Sequence, residues 1–317
     1  MSSSEFGSAP ASESQARRAA VIGLGSMGSG MAMALLRGGL DVAGFDVAPA
    51  AVERFVAAGG RGAPTPAEAA AGADIVVSVV VNAAQTEAIL FGPEGVAEAM
   101  PAGAVFVSSA TMDPDVARRL AERLEAMGRL YLDAPISGGA QRAAEGALTI
   151  LASGSREAFA RARPALDAMA AKLYELGDAP GQGAAFKMIN QLLAGVHIAA
   201  ACEAIAFAAK QGLDIKKVYE VITASAGNSW MFENRVPHVL DGDYAPRSAV
   251  EIFVKDLGII QDMARSARFP VPVSAAALQM FLATAGAGMG RDDDASVARL
   301  YARITGTKLP GEPANSN

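Results

Sequence analysis

A glycine fingerprint near the start constrains this chain more than any other feature. Residues 19–23 (AAVIG) are short and apolar, as a buried strand should be. They run into GLGSMG, residues 23–28, and then into MAMALLRGG, a helix-favouring stretch. Strand, Gly-x-Gly-x-x-Gly and helix in that order are the start of a dinucleotide-binding βαβ unit. Gly23 permits the tight turn, Gly25 lets the main chain approach a pyrophosphate, and Gly28 lets the helix pack close to the strand. Leu24, Ser26 and Met27 lie between the glycines, where the helix start offers N–H donors and positive dipole to phosphate.

Residues 41–46 (DVAGFD) read as the next strand, ending on Asp46. A carboxylate there binds both hydroxyls of an adenosine ribose and repels a 2'-phosphate, which favours NAD over NADP. Asp46 also reads as a helix cap with Pro49 in the first turn, and the two roles are compatible. Further strands are expected at 61–63, 74–81, 104–108, 131–134, 147–152 and 173–176. Helices are expected from Thr65-Pro66, over 113–128 and over 156–171. This alternation predicts an α/β fold with a mainly parallel, doubly wound Rossmann-type sheet. Val81 and Asn82, Ser109-Ala110-Thr111, and Pro135 to Gly139 follow strands at their C-terminal ends, where open α/β sheets bind ligands.

Residues 181–210 contain no Pro and are rich in Ala, Leu and Met. A continuous helix there would span roughly 40 Å at about 1.5 Å per residue, enough to leave one domain and enter another. Lys187 and Asn190 near its start share one helical face. They read either as a catalytic pair at a domain junction or as a solvated Lys beside a surface Asn. Beyond 210 the patterns are helical, over 215–224, 249–267, 273–287 and 295–304. The expected organisation is a disordered tail at 1–18, a dinucleotide-binding domain at 19–180, an interdomain helix at 181–210, an all-helical domain at 211–307 and a tail at 308–317.

Composition narrows the function classes. Hydrophobic residues make up 51% and charged ones 19%, a globular balance. The formal net charge is -6 with no basic cluster, which argues against nucleic acid as a partner. With one cysteine, Cys202, no intramolecular disulfide can form. With only His197 and His238, a His-rich metal site or a Ser-His-Asp triad has few candidates, and no metal is expected. The first residues carry no apolar leader, and the apolar stretch 192–209 is broken by His197 and Glu203. A cytoplasmic protein with no membrane partner is expected.

Four blocks stand in order: GLGSMG at 23–28, DAPISGG at 133–139, GQGAAFKMIN at 181–190 and FVKDL at 253–257. Together they resemble the β-hydroxyacid dehydrogenase family, which includes 3-hydroxyisobutyrate dehydrogenase, over about residues 19–307. Within it, 80–87 and 231–259 look most like the L-threonate dehydrogenases. The resemblance implies that Lys187 is the catalytic lysine, that Ser137, Gly138 and Gly139 form the substrate-carboxylate loop, and that Asn190 contacts substrate. It places Thr111 and Lys255 near the nicotinamide. Two departures stand out. Ala110 replaces a Ser found in many members, at the expense of one hydrogen bond to cofactor. Val81-Asn82 replaces a Pro, which reshapes the pocket and makes Asn82 a candidate for polyol recognition. Dimers or tetramers are also implied.

The chemistry is consistent with that assignment. Oxidising a hydroxy acid removes a hydride from carbon and a proton from oxygen, and NAD takes the hydride. With few histidines, a lysine is the available base, provided burial or nearby positive charge lowers its pKa. Glycines at 138 and 139 leave N–H groups unshielded for a carboxylate. The favoured reaction is oxidation of L-threonate at C2. Chemistry on 3-hydroxyisobutyrate or tartronate semialdehyde is the sibling reading, and a non-catalytic dinucleotide-binding module the reading from another class. An imine reductase is disfavoured by Lys187, and 6-phosphogluconate dehydrogenase by the short helical domain.

Overall fold

The structure is a computed structural model that describes residues 18–312. Of the expected leading tail, 1–17 lie outside the described residues, and Arg18 already begins the first strand. Residues 313–317 also lie outside them.

Six strands form the main sheet: β1 (Arg18–Ile22), β2 (Asp41–Phe45), β3 (Arg61–Gly62), β4 (Ile75–Ser78), β5 (Val105–Ser108) and β6 (Leu130–Asp133). All neighbours are parallel, in the order β3-β2-β1-β4-β5-β6. The connecting helices are α1 (Ser26–Arg37), α2 (Pro49–Ala57), α3 (Pro66–Ala70), α4 (Ala83–Phe91), α5 (Val96–Ala99) and α6 (Pro114–Glu125). Helices cover both faces, so β4 and β5 are buried along their whole length. Each fully buried Val or Ile contributes about 1.5–3 kcal/mol. Helix starts follow local chemistry: Thr65 caps α3 through Glu68 N–H, and Asp113 caps α6 through Asp115 N–H, each just before a Pro. The direction of strand addition reverses between β1 and β4. That switch point opens a crevice beyond the strand ends, between the turn at Gly23 and the segment after Ser78.

The strands expected last do not extend this sheet. β7 (Ile136–Ser137), β8 (Leu148–Ala152) and β9 (Ala170–Glu175) form a separate sheet with β8 central, β7 antiparallel and β9 parallel to it. An antiparallel bridge from Asp133 to Ser153 occupies the free side of β6 at its end. Between these strands lie α7 (Gly139–Glu145) and α8 (Arg156–Met169). The short α7 carries no apolar period and is held by packing on α1. At Gly30 of α1 even a Cβ would press into the main chain of Ala143 and Ala144.

A single helix, α9 (Gln182–Lys210), then runs through the second core. Around it stand α10 (Ile215–Thr223), α11 (Trp230–Asp241), α12 (Val250–Ser266), α13 (Pro272–Thr284) and α14 (Val297–Thr305). Ile198, Cys202 and Ile205 of α9 share that core with Phe253, Leu257 and Phe281. The helical patterns did not include α11, which contains Pro237. Proline cannot bond the carbonyl four residues earlier, and the Tyr219 hydroxyl donates to that oxygen, on Glu233, at 3.2 Å. The tail expected from 308 is anchored as far as Glu312. Leu309 is buried, and Glu312 pairs with Arg299 and Arg303.

Candidate active site

The three fingerprint glycines have different physical reasons. Gly23 has φ +98° and no room for a Cβ against the Val79 carbonyl. A Cβ on Gly28 would overlap the Gly23 carbonyl oxygen. Gly25 has ordinary dihedrals and nothing within 4 Å of where its Cβ would stand. The protein itself gives no reason for a glycine there, and the open space fits a pyrophosphate lying against the main chain. Gly25 caps α1 without a side-chain hydrogen bond, and the first turn holds no acidic residue. The first N–H groups of α1 therefore face the cleft with positive dipole.

Asp46 braces this turn. Its Oδ2 accepts from Leu24 N–H at 2.6 Å, and its Oδ1 accepts from Ala48 N–H at 2.8 Å. Further lone pairs remain on both oxygens for ribose hydroxyls. Leu24 has its side chain buried and its N–H committed to Asp46, so it shapes the turn from within. Leu24, Gly25, Ser26, Asp46 and Arg54 line a cleft of about 500 Å³. Arg54, on α2, was not singled out by the sequence motifs. Val81 and Asn82 make their bonds inside their own turn: Asn82 Oδ1 accepts from Gln85 N–H at 2.9 Å, and Val81 N–H donates to Gln85 Oε1 at 2.9 Å.

A second group of residues gathers at the start of α9. Asp133, fully buried at the end of β6, accepts from Gly181 N–H at 3.0 Å and Ala184 N–H at 2.8 Å. Ser153 Oγ accepts from Gly183 N–H at 2.9 Å. A Cβ on Gly183 would run into the Leu151 carbonyl, so the helix start is pressed against both sheets. Burial pushes the Asp133 carboxyl up to about 6, opposed by the N–H donors of Ala184 and Gly181. Four residues after Asp133 comes the loop Ser137-Gly138-Gly139. Gly138 has φ +140° and Gly139 φ +80°, and no atom stands within 4 Å of a Cβ on Gly139. The main chain there is open to a ligand.

Lys187 is buried, on the first turns of α9. Burial lowers its pKa to about 8, against the attraction of Asp256 and with help from the charge of Lys255. Lys255 forms an ion pair with Asp256 at 2.6 Å and donates to the Thr111 carbonyl at 3.1 Å. It thus reaches the loop after β5 through main chain. Gln191 donates to Asp256 Oδ2 at 2.6 Å, and Asn190 donates to Gln191 Oε1 at 2.9 Å. Hydrogen bonds and charge thus join Lys187, Asn190, Lys255 and Thr111, while Gly23 to Gly28 and Asp46 form a separate cradle. The motifs gave no role to Asp133, Gln191 or Asp256. Each sits inside or beside a quoted block, but only folding reveals its partners. The arrangement provides a buried base whose pKa is lowered to about 8, next to the Lys255–Asp256 ion pair.

Residues 18–177 match the family model described as the NAD binding domain of 6-phosphogluconate dehydrogenase. Residues 181–301 match that described as NAD-binding of NADP-dependent 3-hydroxyisobutyrate dehydrogenase. The chain is 53% identical to L-threonate dehydrogenase of Cupriavidus necator over 93% of its length and 99% of the relative's. It is 46% identical to L-threonate dehydrogenase of Escherichia coli K12, covering 92% and 96%. A crystal structure of a 3-hydroxyisobutyrate dehydrogenase from Salmonella typhimurium superposes with TM-score 0.86 at 48% identity, covering 90% and 99%.

Proposed function

The chain belongs to the β-hydroxyacid dehydrogenase family, and from that premise we propose that it oxidises L-threonate at C2, with Lys187 moving the hydroxyl proton. It is an NAD-dependent hydroxy-acid oxidoreductase of Rossmann and helical parts. The choice of L-threonate rests on the relatives of that name at 46–53% identity over nearly their whole length.

The observation that carries the mechanism is the burial of Lys187, with its pKa lowered to about 8. When bound, NAD supplies the hydride acceptor. In oxidation, neutral Lys187 takes the hydroxyl proton, and in reduction, protonated Lys187 polarises the carbonyl. The main chain of the Ser137-Gly138-Gly139 loop, open at Gly139, holds the carboxylate. Asn190 contacts the substrate, Asn82 faces it from the α4 side, and Thr111 and Lys255 border the nicotinamide. Gly23 to Gly28 with Asp46 hold the rest of the dinucleotide. In this reading residues 19–180 bind cofactor, 181–210 form the link that carries the catalytic lysine, and 211–307 close the site.

The protein is proposed to act in the cytoplasm as a homodimer or homotetramer. Helix α9 exposes Phe186, Ile189, Leu193 and Phe207, and a groove of about 730 Å³ runs between α9, α13 and α14. An apolar face of this extent is what a second copy would cover. Although α9 is long and apolar enough to cross a membrane, half of that window is buried in protein.

A screen of hydroxy acids followed by NADH absorbance tests the reading. L-Threonate should turn over fastest. Faster turnover of 3-hydroxyisobutyrate, or of tartronate semialdehyde in the reductive direction, would move the assignment to those siblings. NAD binding without turnover of any hydroxy acid would leave a non-catalytic module.

A further inference from the structure

We propose that Gln191 is a positioning residue that fixes which end of the Asn190 amide faces the substrate, and that this sets a preference for acids with a second hydroxyl. The inference rests on the functional reading above.

The Asp256 side chain is buried and ion-paired to Lys255, and as a carboxylate it only accepts hydrogen bonds. Gln191 is buried too, and it lies 2.6 Å from Asp256 Oδ2. Only the NH₂ end of Gln191 can make that bond. Its carbonyl end is then turned to Asn190, 2.9 Å away. An acceptor there requires Asn190 in turn to present its NH₂. The polarity of both amides follows from the charge on Asp256, whichever way an amide might otherwise be oriented. The relay runs from buried Asp256 through buried Gln191 to exposed Asn190, and it ends in one acceptor without a protein donor, Asn190 Oδ1. Among the described residues no group donates to that oxygen.

A hydroxyl has a single proton. The reacting hydroxyl gives its proton to Lys187, three residues before Asn190 on the same helical face, and cannot also donate to Asn190. The free acceptor therefore serves a different hydroxyl of the substrate. A monohydroxy acid has none to offer and leaves that acceptor without a donor once water is excluded, whereas a polyhydroxy acid satisfies it.

Gln191→Met keeps length and burial but removes the amide, and Gln191→Leu serves if the first variant folds poorly. For each, NAD affinity and melting temperature establish that the fold and the dinucleotide cradle are intact. The probes are L-threonate, read as KM and kcat, and 2-hydroxybutyrate, which lacks the further hydroxyls, read as its competitive inhibition constant. The expected result is a rise in KM for L-threonate of about five- to tenfold, the worth of one hydrogen bond, with kcat changed less than threefold. The 2-hydroxybutyrate constant should move less than twofold. Equal weakening of both ligands, or no change in either, would overturn the relay. A wild-type enzyme that oxidises only monohydroxy acids would overturn both the relay's role and the choice of L-threonate. Absence of turnover with every hydroxy acid would overturn the functional reading itself.

Discussion

Asp133, at the end of β6, accepts a hydrogen bond from the main-chain N–H of Ala184 at 2.8 Å, across 51 residues of sequence. With the second bond from Gly181, one buried carboxylate ties the start of α9 to the main sheet. Lys187 lies one turn further along that helix, so its position depends on this tie. Asp133→Ala would leave both N–H groups buried without a partner and should cost about 2–3 kcal/mol. Asp133→Asn keeps one acceptor oxygen and should lose less than half as much. Chemical denaturation of the two variants checks the order. Equal stability of Asp133→Ala and the wild type would contradict the tie.

Gly25 and Gly28 should respond in opposite ways to the same change. Gly28→Ala forces a Cβ into the Gly23 carbonyl, and overpacking of this kind costs about 1–3 kcal/mol. Gly25→Ala meets no protein atom and should fold with an unchanged melting temperature. Its methyl group nevertheless fills the space assigned to the pyrophosphate, so NAD affinity should fall at least tenfold. Calorimetry for stability and titration for NAD separate the two effects. A Gly25→Ala enzyme with wild-type NAD affinity would move the pyrophosphate elsewhere.

Cofactor choice should turn on Asp46. Asp46→Ala combined with Val47→Arg, at a position that is 90% exposed, should shift preference toward NADP. The double variant also loses the bonds to Leu24 and Ala48, so some loss of stability is expected. Ratios of kcat/KM for the two cofactors read the result. A wild-type preference for NADP would mean that Asp46 braces the turn without selecting the ribose.

The exposed apolar residues of α9 predict a stable assembly. Light scattering at micromolar concentration should give a mass at least twice the 32.3 kDa of one chain. A mass of one chain would contradict that.

Much of this architecture was legible before folding, for identifiable reasons. The strand into GLGSMG and the buried β4 run are local signals, and they fix the kind of sheet. The order β3-β2-β1-β4-β5-β6 is the doubly wound arrangement that two dinucleotide-binding halves form. The separate β7-β8-β9 sheet was not legible. Its strands look like any others, and what sets them apart is the bridge from Asp133 to Ser153. Helix α11 was hidden by Pro237, because the Tyr219 hydroxyl that compensates for it is remote in sequence. In the site, Lys187 and the glycines announce themselves by type and motif. Asp256 and Gln191 do not, since a carboxylate after a lysine and an amide after an amide are common on helix surfaces. Only their burial against each other gives them meaning.

Lys187 is the centre of the proposed chemistry, and the pH dependence of kcat tests its role most directly. Burial holds its pKa at about 8, below that of a free lysine. A base must be neutral to act, so wild-type oxidation should rise with pH through about 8 and level off above it. The reverse reduction should fall over the same range. Lys187→Ala should lower kcat by about 10²–10⁴-fold, the usual worth of a positioned proton carrier, and abolish the inflection. NAD affinity should hardly change. Lys187→Arg should not rescue the rate, because guanidinium stays protonated. A Lys187→Ala enzyme that kept most of its kcat, with the same inflection near pH 8, would contradict the assignment and show that another group carries the proton.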